Sequence, residues 1–135
     1  MDELNQILEQ ITESYVISNS KKISQSHIQA CLDYQSEISS KVKNEKLLFQ
    51  YEREIKLILA LIEDYQTGTY KEVSAESIGI MVFSLLYVLS DNDLIPDDIP
   101  VWGLKDDAAV LEICMKLIRK DIMGYDDWLF KFGQY

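Results

Sequence analysis

Glycine, proline, histidine and basic residues are all scarce in this chain, and each shortage excludes something. Five glycines and two prolines in 135 residues are too few for a turn-rich β sandwich, and they favour long helices. A single histidine, His27, leaves little for histidine-based catalysis or for a histidine metal site. Two cysteines, Cys31 and Cys114, stand far apart without a CxxC pair, so they read as buried reduced thiols rather than a disulfide framework. Thirteen basic residues against twenty-three acidic ones give a formal charge of −10. The basic ones are scattered, with Lys21–Lys22 and Arg119–Lys120 the only adjacent pairs. No stripe tracks a phosphate backbone and anionic leaflets would repel this acidic surface too, so neither nucleic acid nor a membrane is an expected partner. Glycine-rich phosphate loops and a GxSxG elbow are absent too.

What is present is a helical protein. Hydrophobic residues make up 47% and charged residues 27%, the balance of an ordinary folded domain. No Gly-, Pro- or Ser-rich linker and no fixed-period repeat divides residues 1–135, so one domain is expected. Residues 1–68 form its N-terminal helices and 69–135 the remainder. The N-terminal MDELNQILEQ lacks a basic and an apolar signal region, which points to the cytoplasm.

Taken in order, Leu4, Ile7, Leu8, Ile11 and Tyr15 recur at helical spacing up to the break at Ser18-Asn19-Ser20. Ser24 or Ser26 can cap a second, serine-rich helix whose stripe is Ile28, Cys31, Gln35, Ile38 and Val42. A strong pattern predicts a third over 44–65, through Leu48, Tyr51, Ile55, Ile58, Ile62 and Tyr65. Gly68 is placed to end it in the left-handed conformation. Thr69 with Glu72, or Ser74, offers the next start. The run IGIMVFSLLYVL, Ile78 to Leu89, is apolar almost all round. Its twelve residues span about 18 Å as a helix against a hydrocarbon core of about 30 Å, so a buried central helix is expected. Ala108 to Ile122 reads as another helix, with Lys116, Arg119 and Lys120 in its later turns. Gly124 is expected to stop it, and Asp126 to cap a short last helix whose Trp128, Leu129, Phe130 and Phe132 close the core. His27 and Cys31 lie one turn apart, but no third group orients them, so an ordinary half-buried histidine is expected there.

The stretch SDNDLIPDDIPVWGLKDD, Ser90 to Asp107, holds six aspartates, both prolines and one of the two tryptophans. Asp106 and Asp107 suit the start of a helix. Asp93 suits a turn, while Pro96, Pro100 and Gly103 shape the loop. Asp91 and Asp98 lack such an explanation. Asp91 follows a helix C-terminus, where the macrodipole disfavours a carboxylate. Together with Asp93, Asp97 and Asp98 it crowds four negative charges into eight residues, each close pair costing about 1 kcal/mol in water and about 4 kcal/mol at intermediate dielectric. An unexplained local conflict of this kind marks a place to look for function.

Three compensations are open. Divalent metal bound by Asp91, Asp93, Asp97 and Asp98 is one, although the EF-hand template fails: its fifth, sixth and twelfth positions would be Ile95, Pro96 and Trp102. Hydrolysis by a carboxylate pair is another, without a nucleophile nearby. The third is a basic protein partner docking on Asp91, Asp97 and Asp98, with Trp102 as aromatic anchor.

The run YVLSDNDLIPDDIPVWGLKDD, Tyr87 to Asp107, resembles the signature of the YkvA-like domain family, a bacterial domain of unknown function. That signature reads roughly Y-x-L-S-P-x-D-L-I-P-D-x-I-P-x-x-G-x-x-D-D, and the likeness extends over about residues 80–120. Asp91 stands where the family has proline, and Asp98 where an apolar residue is usual. The resemblance implies a helix–loop–helix core, relatives often associated with membranes, and neither an established activity nor a cofactor.

The expectation is therefore an all-α bundle of five or six helices around a buried helix at about 74–90, with the acidic Pro-containing loop before the next helix. No cofactor and no enzymatic activity are expected. The leading reading is an acidic protein–protein interaction module, in its sharpest form an immunity-type inhibitor neutralising a basic bacterial toxin such as a nuclease. A metal-binding or hydrolytic protein and a peripheral membrane protein are the alternatives.

Overall fold

The chain from Ile78 to Leu89 is buried at every residue, and the other helices are arranged to bury it. The computed structural model describes residues 13–46, 48–89 and 107–132. Six α-helices account for most of them: α1 (Glu13–Ser20), α2 (Gln25–Asp33), α3 (Gln35–Asn44), α4 (Glu52–Thr67), α5 (Ala75–Val88) and α6 (Asp107–Lys131). A 3-10 turn at Phe49–Tyr51 leads into α4. Among the described residues there is no strand, and the all-α bundle around a central helix is what the apolar run predicts. α5 touches each of the other five helices, α6 most extensively and α1 next.

Local chemistry sets the ends of α5. Ser74 Oγ accepts the Ser77 N–H at 3.1 Å, so Ser74 rather than the Thr69–Glu72 pair provides the cap. Upstream, Gly68 ends α4 at φ 78°, the left-handed conformation expected of it. Its neighbours Thr69 and Tyr70 both donate backbone N–H groups to the Asp64 carbonyl. The buried Ser84 hydroxyl inside the core is answered locally, donating its Oγ–H to the Met81 carbonyl at 2.7 Å.

Where α1 crosses α5, the two backbones meet. A Cβ on Gly79 would lie 2.9 Å from the Ser20 carbonyl oxygen, closer than real Cβ atoms approach, so a hydrogen is required there. The helix α1 runs through Ser18 and Asn19 to Ser20 before ending.

Three helix boundaries and the placement of the last aromatics differ from the sequence reading. The stripe Ile28–Val42 is not one helix, because the backbone turns at Tyr34 (φ −108°, ψ 23°). Gln35 Nε2 donates to the Leu32 carbonyl at 3.0 Å there, satisfying a carbonyl that the break releases. The helix expected from Asn44 starts eight residues later, at Glu52. The side chain of Asn44 donates to the Ser40 carbonyl at 2.8 Å and closes α3. Leu48 reaches the core from a turn, since a 3-10 turn also brings residues i and i+3 to one side.

The helix expected to stop at Gly124 instead continues to Lys131. The buried stripe Leu111, Cys114, Ile118, Ile122, Tyr125 and Leu129 carries straight through it, and burying that stripe outweighs the modest cost of one helical glycine. Asp126 caps nothing and pairs with Arg53 at 2.9 Å. Lys116, Arg119 and Lys120 consequently sit in mid-helix, away from the C-terminal end of the dipole. The fourth difference concerns the last aromatics. Trp128 and Leu129 pack inward, whereas Phe130 is 79% exposed and Phe132 62%.

Candidate functional site

The residues singled out for partner binding, Asp91, Asp97, Asp98 and Trp102, lie outside the described residues, as do Asp93 and the rest of 90–106. The structure does define what holds the stretch at each side. Leu89 is buried, its N–H bound to the Leu85 carbonyl at 3.2 Å, and α6 begins at Asp107. Ser77, in the first turn of α5, donates its hydroxyl to Asp121 far along α6 at 2.7 Å. The two helices therefore run antiparallel, with both anchors at one end of the bundle. They are also the most extensively packed pair, so the acidic stretch begins and ends on one rigid unit.

The opposite end is aromatic. Tyr70, Tyr125 and Trp128 form a cluster with ring centroids 5.0–5.8 Å apart. Tyr125 donates its hydroxyl to Asp64 Oδ2 at 2.6 Å. Burial, then that bonded carboxylate, pushes its hydroxyl above the ordinary tyrosine range.

His27 is fully buried rather than half-buried. Its Nδ1 accepts the Ser24 N–H at 2.8 Å, the role a Glu or Gln plays in a capping box. Cys31 Sγ lies 3.8 Å from the Val82 carbonyl. Burial pushes this thiol up to about 12, the opposite of what an activated nucleophile needs. Cys114 is buried as well, and both thiols are free.

Two of the grooves on the described surface adjoin the central helices. One of about 710 Å³ lies between the end of α1, the start of α2 and the start of α5, lined among others by Ile17, Lys21, Ile28 and Glu76. Another, about 250 Å³, lies between the start of α4 and the middle of α6. Its lining includes Leu57, Met115 and Ile122, with Arg53, Glu54 and Arg119 around them. The Tyr51 hydroxyl beside it is raised by burial, then by Glu112 and Glu54. Among the described residues, no group of three or more His, Cys, Asp or Glu is placed to hold a metal.

The surface that sequence reasoning missed is the outer side of α6. Met123 is 60% exposed and Phe130 79%, seven residues apart on the same side, with Arg119 next to Phe130 at its edge. The signal was available in the sequence, since both fall off the Leu111–Leu129 stripe. It is legible only if the helix is read through Gly124.

An all-helical bundle with an Asp- and Pro-containing connection between its central helix and the next is a recognisable class of domain. A family model described as "Protein of unknown function (DUF1232)" matches residues 77–113, from the first turn of α5 across the acidic stretch into α6. The chain is also 32% identical, over 88 residues, to the "Uncharacterized membrane protein YkvA" of Bacillus subtilis (strain 168), covering 65% of this chain and 80% of that relative. No solved structure matches. The chain belongs to this YkvA-like family of unknown function.

Proposed function

We propose that this chain is a non-enzymatic interaction module whose acidic surface docks a basic protein partner. Its sharpest form is an immunity-type inhibitor that covers a basic bacterial toxin such as a nuclease. One observation carries the reading: the densest run of carboxylates is strung between α5 and α6, the two helices packed most extensively. Such anchoring limits the entropy lost when the run is engaged, and a total charge of −10 speeds encounter with a cationic surface. Asp91 and Asp98 replace a proline and an apolar residue of the family signature, so they supply the charge particular to this chain. Trp102 supplies the aromatic anchor.

The test is a calorimetric titration against the purified product of a neighbouring toxin-like reading frame. Binding should weaken by more than about tenfold when Asp91, Asp97 and Asp98 become Asn, and raising the salt should slow association. An unchanged affinity and on-rate in the triple variant would refute the acidic-surface mechanism.

A second reading is favoured by a separate observation: the relative's name describes a membrane protein. No described helix is long and apolar enough to cross a bilayer, and α5, at 14 residues, spans only about 21 Å. Attachment through the described residues is therefore peripheral. Flotation of the protein with lipid vesicles tests it.

A further inference from the structure

We infer that the outer face of α6, from Lys116 to Lys131, is the surface that docks on an anionic lipid bilayer; this rests on the peripheral-membrane reading above. In a chain with ten more carboxylates than cations, this face is inverted in sign. Its exposed ionisable side chains are Lys116, Arg119, Lys120, Asp127 and Lys131, four cations and a single carboxylate. Lys116 is tied to Glu13 at 3.0 Å. Arg119, Lys120 and Lys131 make no ion pair among the described residues, and Asp126 at the margin is drawn off by Arg53 at 2.9 Å.

Two apolar side chains stand among these cations. A turn of 100° per residue places Arg119, Met123 and Phe130 within about 40° of one another, with Lys120 and Lys131 flanking them on one side. Phe130, 79% exposed, lines neither of the two grooves described above. Met123, 60% exposed, stands with Arg119 at the rim of the 250 Å³ groove, so Phe130 is the apolar group that projects clear of both grooves from this 25-residue helix. An aromatic and a thioether beside the exposed Arg119, Lys120 and Lys131 match the interfacial helix pattern, in which apolar groups enter the acyl boundary and the cations meet lipid phosphates.

The overall charge does not prevent this. At physiological ionic strength the screening length is about 8 Å, so a leaflet touching α6 responds to the charges of that face. The acidic remainder is repelled at longer range, and that repulsion turns α6 towards the leaflet. The face is also spatially separate from the anchors of the acidic stretch, because its apolar residues lie in the half of α6 far from Asp107.

The experiment is flotation of the full chain with vesicles of phosphatidylcholine alone and of phosphatidylcholine mixed with phosphatidylglycerol. The native protein should float with the mixed vesicles at low salt, and stay behind at high salt or with phosphatidylcholine alone. Phe130→Asp, and separately the pair Lys120→Glu with Lys131→Glu, should each lower partitioning by about tenfold or more. Because these side chains are exposed, thermal melts should stay those of the native chain, which separates lost binding from lost folding. If the native protein and both variants float equally, the membrane reading survives and this face is the wrong one. If the native protein floats with neither vesicle, the membrane reading itself fails. If sedimentation shows a dimer that Phe130→Asp converts to monomer, a second copy covers the face and the bilayer assignment is overturned.

Discussion

Replacing glycine by alanine at positions 79 and 124 should have opposite effects, although both residues lie inside helices. In a helix interior the exchange removes backbone freedom from the unfolded chain and contributes about 1 kcal/mol. At Gly124 little opposes that gain. The residue is exposed, and a new Cβ would sit 3.7 Å from the Tyr70 hydroxyl, an ordinary contact. Gly124→Ala should therefore stabilise by close to 1 kcal/mol. At Gly79 the new Cβ meets the Ser20 carbonyl oxygen at 2.9 Å. That atom is backbone and cannot swing aside, so α1 must shift off α5, at a cost of about 1–3 kcal/mol. After the propensity gain, Gly79→Ala should destabilise by about 1 kcal/mol. For a domain of this size either change moves the melting temperature by roughly 3–5 °C. Urea unfolding followed by far-UV circular dichroism measures both, with the slope checked for constancy. A Gly79→Ala variant as stable as the native chain would show that α1 does not cross α5 backbone to backbone. A Gly124→Ala variant that loses stability would mean a left-handed, helix-ending glycine, and a helix broken where the structure has it continuous.

Tyr125→Phe deletes the 2.6 Å bond to Asp64 and leaves a half-buried carboxylate short of a donor, so it should cost on the order of 1–2 kcal/mol in urea unfolding; no loss would mean that the bond is replaced by water at no penalty. Stability should also fall in alkali. The native fold holds the Cys31 thiol and the Tyr15 hydroxyl neutral up to about 12 and raises Cys114 and Tyr125 further, all by burial first. The unfolded chain loses these protons from about pH 9 for the thiols and 10 for the tyrosines, so the contribution is complete below pH 9 and declines as pH rises beyond it. Each fully buried thiol accounts for up to about 1.4 kcal/mol per pH unit. A flat denaturation midpoint from pH 8 to about 10.5 would contradict it, as would rapid labelling of both thiols by Ellman's reagent in native buffer.

How much of this was legible before folding depends on whether the information is local. The run Ile78–Leu89 announces a buried helix by itself, since no helix face is left polar enough to meet water. Ser74 and Gly68 mark ends, because capping and a left-handed φ are satisfied within a few residues. The family likewise shows in the spacing of Asp, Pro and Gly between Tyr87 and Asp107. Asp91, Asp97 and Asp98 were singled out by charge that local rules leave uncompensated and Trp102 as an aromatic beside them, and all four lie outside the described residues.

Other features depended on distant partners. Whether Gly124 ends a helix or sits within one depends on the hydrophobic gain from packing Tyr125 and Leu129 against the rest of the bundle, which no window around residue 124 contains. Residues Ile28 to Val42 have one continuous stripe, yet the chain breaks at Tyr34 so that two short helices can each meet α5. Gly79 looks like a weak point in a helix until Ser20, fifty-nine positions earlier, is placed against it. The same is true of Phe130 and Met123: composition and periodicity count them as apolar, but only the packed bundle decides which apolar groups find a core and which remain facing outward. Sequence alone determined the helices and the family. Tertiary packing decided where the helices end and which apolar side chains stay exposed, because burial is a property of the whole chain rather than of any segment.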